Sequence, residues 1–166
     1  YDLVKQDEAR FTPLGMEESL SAREILAVHP KGLEYGAILA GHERVPLLRD
    51  QEGRVLSLPP IINSRDIGEV RVGDRELFVE VTGTDLLMVV LTLNIMAVNL
   101  ADRGATIEPV LVTYPYDTPL GKTVRTPLDF AKARSIAVKA IEAALGQALG
   151  PDQVRDALVT YGCQAE

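Results

Sequence analysis

Glu80 is a lone carboxylate in an apolar run, Leu77-Phe78-Val79-Glu80-Val81-Thr82, and Gly83-Thr84-Asp85 follows it. Two readings of Glu80 stand side by side. Period-2 alternation turns Leu77, Val79 and Val81 inward and leaves Phe78, Glu80 and Thr82 facing solvent. Alternatively the Phe78/Glu80/Thr82 face lines a pocket, where Glu80 acts as a strong hydrogen-bond acceptor. Thr84 and Asp85 also suit the N-cap of a helix that follows. Upstream lies a second unusual stretch, Ser57-Leu58-Pro59-Pro60-Ile61-Ile62-Asn63-Ser64. Two prolines in an apolar run exclude a helix and a central strand, because the rings fix φ and remove two amide donors. Ser57 and Asn63 flank this rigid piece. Their side chains satisfy loop backbone groups or add polar atoms to a pocket wall. Rigid backbone beside a carboxylate and hydroxyls is what a small-molecule site needs.

Other chemistries find little support. The chain has no P-loop, no GxGxxG after a strand, no HExxH, no CxxC and no GxSxG. A metal site would require His29, His42 and Cys163 to converge from scattered positions, so none is expected. Cys163 has no basic cluster near it in sequence and reads as an inert thiol.

The elements that must position these residues are legible in outline. Residues 1–15 show no period and read as loop or edge strand. Ser21 with Glu24 three residues later forms a capping-box pattern for a short helix through Val28, with Ile25, Leu26 and Val28 as its inward candidates. His29-Pro30-Lys31-Gly32 stops that helix, and 35–40 suggests a further half-turn. Residues 45–48, with Pro46 at an edge, and 55–58 flank the Asp50-Gln51-Glu52-Gly53 turn as a hairpin. Residues 77–82 form a strand, residues 86–100 a long, largely buried helix closing at Gly104, and residues 107–114 another strand. Strand, helix, strand in that order predicts a mixed α/β body of α+β class. The stretch 115–127 holds three prolines and reads as a break, with a domain boundary near Lys122. Beyond it Ser135 caps a helix carrying Val138, Ile141 and Leu145 on one face. Pro151 starts a second helix with Val154, Leu158 and Val159 inward.

Composition bounds the function. At 166 residues the chain can bury a real core, and 46% hydrophobic with 25% charged residues is ordinary for a globular protein. No apolar run approaches the ~18 residues of a membrane span, so no membrane association is expected. The net charge is −7: residues 1–119 carry 11 Lys+Arg against 19 Asp+Glu, and residues 120–166 carry 6 against 5. An acidic body argues against non-specific grip on a phosphate backbone. The paired C-terminal helices resemble a helix–turn–helix, but Arg155 is the single basic residue between Pro151 and Gly162, so DNA is not an expected partner. No basic and apolar leader opens the chain, and the single cysteine suits a reducing compartment, so a cytoplasmic location is expected. A start on Tyr1 rather than Met suggests a segment of something longer.

Taken together, several stretches resemble one family. Pro46-Leu47-Leu48-Arg49-Asp50, Gly53-Arg54-Val55-Leu56-Ser57-Leu58-Pro59-Pro60-Ile61-Ile62-Asn63-Ser64 and Leu77-Phe78-Val79-Glu80-Val81-Thr82-Gly83-Thr84-Asp85 are similar to the archaeal/eukaryotic-type β subunit of phenylalanyl-tRNA synthetases, in its B3/B4 region. Asn94-Ile95 and Leu100-Ala101-Asp102-Arg103-Gly104 continue the likeness, and 144–162 looks like the opening of the next module, B5. The resemblance implies a B3/B4-like editing domain at 1–121 and an incomplete B5-like module at 122–166. It implies proofreading hydrolysis of tyrosine wrongly attached to tRNA(Phe), with a non-catalytic scaffold or tRNA- or subunit-contact role as the alternative. Positions matching Leu48, Ser57, Glu80 and Thr82 are those the family associates with its amino-acid pocket. Glu80 and Thr82 are therefore the candidate catalytic residues, and Leu48, Ser57 and Asn63 join them as candidate substrate-binding residues. The implied partners are tRNA(Phe) and the α subunit of an α2β2 heterotetramer. ATP and Mg²⁺ are implied for the complete synthetase, and no cofactor for this segment.

Overall fold

The computed structural model describes residues 1–130 and 133–166. Among them the chain separates into two compact units, Tyr1–Pro127 and Leu128–Glu166.

The first unit is built on a four-stranded antiparallel sheet. Strand β1 (Asp2–Lys5) is followed by the short pair β2 (Arg10–Phe11) and β3 (Leu20–Ser21), which form a sheet of their own. Ser21 then caps helix α1 (Ala22–Val28) with the expected capping box. Its Oγ accepts from the Glu24 N–H at 3.2 Å, and the Ser21 N–H donates to Glu24 Oε2 at 2.7 Å. Ile25 is buried as expected, but Val28 is 55% exposed. His29 ends α1 and at once caps α2 (Pro30–Tyr35), with Pro30 in the first turn. The HPKG stretch is therefore a junction between two helices rather than a stop. Gly32 makes the junction possible: a Cβ there would lie 2.0 Å from the Ile25 carbonyl oxygen. A 3-10 turn, Gly36–Ile38, follows.

Strands β4 (Arg44–Arg49) and β5 (Val55–Leu58) are the expected hairpin, and β6 (Ile62–Asn63) completes the sheet in the order β1-β4-β5-β6. Strand β4 is thus central, not an edge. Pro46 is tolerated because it pairs only with Leu3 of β1, while the β4–β5 ladder begins two residues on, at Leu48↔Ser57. The prolines form the turn between β5 and β6. The Ile61 N–H donates to the Leu58 carbonyl at 2.7 Å, and the Pro59–Pro60 peptide is cis, as in a type VI turn. Val45, Leu47 and Leu58 are fully buried with Ile25, and with Phe11, Leu39 and Ile61 they form the core on one face of the sheet.

The rest of the unit departs from the sequence expectation. Residues 77–82 join no sheet. Both sides of β5 are already taken, by β4 and β6. Alternation fails as well: Leu77 and Phe78 are exposed in succession, while Val79, Glu80 and Val81 are each half-buried. Helix α3 (Leu86–Ala101) does form, with the Asp85 carboxylate accepting from the Met88 N–H at 2.9 Å, but Val90 is its one buried residue. Leu86, Val89, Leu93, Ala97 and Leu100 are half-buried on one side, whereas Leu87, Met88, Ile95 and Val98 are exposed. Strand β7 (Val110–Thr113) is shorter than 107–114 and pairs with β8 (Thr123–Thr126), inside the stretch expected to be a break. The β-branched Thr123, Val124 and Thr126 suit a strand, and Val124 is buried. Since β7 pairs with β8 alone, the described residues contain no βαβ unit. The architecture is mixed α+β with separate small sheets, the expected class. The β8 pairing also carries Thr123–Thr126 with the first compact unit, which ends at Pro127.

In the second unit, α4 (Val138–Leu145) starts at Ala137, which offers no capping side chain, rather than at Ser135. It ends at Gly146, and Pro151 opens α5 (Pro151–Thr160) as expected. Val154 is half-buried, but Leu158 and Val159 are exposed. Among the described residues no helix is long and apolar enough to cross a membrane.

Candidate functional site: a carboxylate beside a cross-strand row

Sheet register assembles most of the site. Leu48 pairs with Ser57 across β4 and β5, and Ser57 pairs with Asn63 across β5 and β6. Directly opposed residues project to the same face. Leu48, Ser57 and Asn63 therefore form one row across three strands, on the face opposite buried Leu47 and Leu58. The turn at Pro59-Pro60 sets the second half of that register.

An open cleft of about 390 Å³ lies over this row, within the usual range for small-molecule sites. Ser57, Leu58 and the Pro60–Ile61 turn form one wall, and Ile62 and Asn63 extend it. Glu80 and Thr82, with Leu14, Lys31 and Tyr35, complete its lining. Leu48 stands beside the cleft through its pairing with Ser57. Of the five residues expected from the sequence, Ser57, Asn63, Glu80 and Thr82 line the cleft, and Leu48 does not.

Their roles differ. Ser57 is buried, and its Oγ donates to Glu80 Oε2 at 3.2 Å. The Tyr1 phenol donates to Glu80 Oε1. The surroundings of that hydroxyl, and then the Glu80 carboxylate itself, hold the Tyr1 phenol above its ordinary pKa, so Tyr1 is a proton donor throughout the working pH range. Asn63 does structural work: its side-chain amide donates to the Gly68 carbonyl at 3.0 Å, and its own carbonyl accepts from the Leu14 N–H at 2.9 Å. Gly68 fits there because a Cβ would lie 2.3 Å from the Leu56 carbonyl oxygen. Thr82 is exposed at the mouth.

Sequence reading missed Tyr1, Lys31 and Tyr35. Tyr1 lay in a stretch with no period. Lys31 and Tyr35 are four apart on α2, a spacing that puts them on one face, and the Lys31 ammonium sits 5.1 Å from the Tyr35 ring centre. Lys31 also pairs with Glu34 at 2.6 Å, which raises its pKa and lowers that of Glu34. His29 uses both ring nitrogens, one accepting from the Lys31 N–H at 3.1 Å and the other 3.1 Å from the Leu14 carbonyl oxygen. Among the described residues no three His, Cys, Asp or Glu side chains come together as a metal site.

A second groove, of about 570 Å³, runs past Gln6, Arg23, Gly32 of α2 and the small residues Gly36, Ala37, Ala40 and Gly41. Its polar groups are already engaged: Arg23 with Asp7 at 2.7 Å, and Gln6 with the His42 carbonyl at 2.6 Å. Of these two clefts, the Glu80 cleft is where polar side chains meet one another, through Ser57 and Glu80.

The fold and the cleft together define a mixed α+β module with an open cleft that carries a carboxylate. Its backbone is similar to the crystal structure of an N-terminal fragment of the phenylalanyl-tRNA synthetase β subunit from Pyrococcus horikoshii, with a TM-score of 0.75 and 33% identity, over 94% of this chain and 43% of that one. By sequence it is 45% identical over all 166 residues to the phenylalanine–tRNA ligase β subunit of Treponema pallidum, and 42% identical over 158 residues, 95% of this chain, to that of Thermococcus gammatolerans. No family model matches the chain. Over its whole length the chain is a homologue of one stretch of the phenylalanine–tRNA ligase β subunits. It spans 28% of the Treponema protein and 27% of the Thermococcus protein.

Proposed function

We propose that this segment is the proofreading site of a phenylalanine–tRNA ligase, and that it hydrolyses the ester of tyrosine misattached to tRNA(Phe). The observation that carries the reading is the phenol on Glu80. That phenol belongs to Tyr1 of this chain; it donates to Oε1 while Ser57 donates to Oε2, so the carboxylate accepts a phenol hydroxyl and keeps lone pairs for a second one. A carboxylate that accepts a phenol hydroxyl can favour tyrosine, because phenylalanine offers it no donor. Such a site discriminates by about 10⁴-fold or more, which an apolar synthetic pocket cannot do against an added hydroxyl.

In this reading Glu80 and Ser57 recognise the substrate phenol, with Leu48 beside the ring and Thr82 at the mouth. Hydrolysis proceeds by a positioned water attacking the ester carbonyl, with backbone amides near Asn63 or at 82–84 stabilising the oxyanion. The second unit is the opening of a B5-like module. Phenylalanine activation, with its ATP and Mg²⁺, belongs to an α subunit in an α2β2 assembly working in the cytoplasm. tRNA(Phe) is held chiefly by parts of the enzyme outside this acidic segment.

A scaffold role without chemistry is the second reading, and the exposed apolar side of α3 favours it. The test is Glu80→Ala in the complete α/β enzyme. Tyr-tRNA(Phe) deacylation falls at least about 100-fold, while phenylalanine attachment is unchanged. Deacylation at the wild-type rate selects the scaffold.

A further inference from the structure

Glu80 poses a physical problem. It belongs to a stretch that joins no sheet, so no backbone ladder fixes where its carboxylate points. The described side-chain bonds that hold it come from Ser57 on Oε2 and Tyr1 on Oε1. Ser57 is anchored in the middle of the sheet. Tyr1 stands just ahead of β1, whose register runs Lys5↔Arg44 to Asp2↔Leu47. One further step of that register sets Tyr1 across from Leu48, on the same face as Leu48, Ser57 and Asn63. Tyr1, just ahead of β1, thus continues the line of the three-strand row, and its hydroxyl reaches the carboxylate.

We infer that Tyr1 is a positioning residue: its phenol and the Ser57 hydroxyl clamp Glu80 so that the free lone pairs of the carboxylate face the cleft. Each carboxylate oxygen can accept more than one hydrogen bond, so Oε1 receives the substrate hydroxyl while Tyr1 stays in place. The raised pKa of Tyr1 suits this role, since the donor proton is retained. The clamp acts on recognition rather than on the attacking water. It rests on the proofreading reading above and adds to it a specificity-determining group outside the cleft lining.

The experiment compares Tyr1→Phe, Tyr1→Ala and Glu80→Ala in the complete enzyme, with kcat and KM for Tyr-tRNA(Phe) deacylation, the rate on Phe-tRNA(Phe), and the thermal midpoint. Tyr1→Phe keeps the ring and removes one hydroxyl. The expected result is a KM raised about tenfold, kcat within about twofold, and a Tyr-over-Phe preference reduced by the same tenfold, the usual scale of one hydrogen bond to a charged group. Wild-type kinetics for Tyr1→Phe, with loss only in Tyr1→Ala alongside a lower midpoint, would make Tyr1 a packing residue and overturn the inference while leaving proofreading intact. A lowered KM for Tyr1→Phe would overturn it in the opposite sense, showing that the phenol occupies the substrate's place. Unchanged deacylation in Glu80→Ala removes the proofreading reading and the clamp with it.

Discussion

The two partners that hold Glu80 sit on different carboxylate oxygens, Tyr1 on Oε1 and Ser57 on Oε2, and this makes them separable by mutation. Ser57 donates from a buried position, so Ser57→Ala leaves Oε2 short of one charge-assisted bond. The expected cost in the proofreading reading is about tenfold in kcat/KM for Tyr-tRNA(Phe), measured by deacylation kinetics, with little change in thermal midpoint because the methyl group fills most of the same space. Asn63 behaves differently. Its amide bonds the Gly68 carbonyl rather than pointing at Glu80. Asn63→Ala is therefore expected to lower stability by about 1 kcal/mol, read by denaturant unfolding, before it alters selectivity. Ser57, Glu80 and Thr82 were readable as candidates from residue type and resemblance. Tyr1 was not, because its relevance comes from a hydrogen bond spanning 79 positions of sequence.

At the scale of elements, local chemistry behaves as its residues dictate. Helix α1 starts where the Ser21–Glu24 box says it should. Ser21→Ala is expected to lower stability by about 1 kcal/mol, the usual worth of an N-cap, measured by thermal or denaturant unfolding. The same box has a pH signature. Hydrogen bonds from the Ser21 backbone and side chain hold Glu24 below its ordinary pKa of 4.5. A folded-state pKa depressed in this way means stabilisation that is complete above the unfolded value and fades as pH falls below it. Unfolding curves of wild type and Glu24→Gln should therefore converge as the pH drops below about 4.5. The α1–α2 junction is set by contact rather than by propensity. With the Ile25 carbonyl oxygen 2.0 Å from where a Cβ would stand, Gly32→Ala forces the helices apart and should cost about 1–3 kcal/mol, read by the unfolding midpoint. Strand expectations fared less evenly. Residues 77–82 have an apolar strand pattern and no sheet, while Thr123–Thr126, hidden among prolines, is a strand because Val110–Thr113 lies beside it.

For the whole molecule, the two compact units give a direct test of where the first one ends. The four-stranded sheet, the cleft and the β7–β8 hairpin all lie within Tyr1–Pro127. A chain ending after Pro127 is expected to keep the amide-exchange protection of β4 and β5. One ending after Gly121 removes β8, leaves the β7 amides without a partner, and should lose protection across 110–113 in the same hydrogen-exchange measurement.

The sequence alone determined the elements whose cause is local: the capped helix α1, the Asp85 cap of α3, the β4–β5 hairpin about its turn, and the proline start of α5. These follow from bonds between residues a few positions apart, and the resemblance carried by the motifs around Ser57 and Glu80 pointed to the pocket residues. Tertiary structure decided the rest. It placed β4 between two strands, left 77–82 outside any sheet, exposed one side of α3, and aligned Leu48, Ser57 and Asn63 in a row that Tyr1 extends toward Glu80. Pairing partners and burial depend on which surfaces meet, and a period along the chain records only that a face exists, not what covers it.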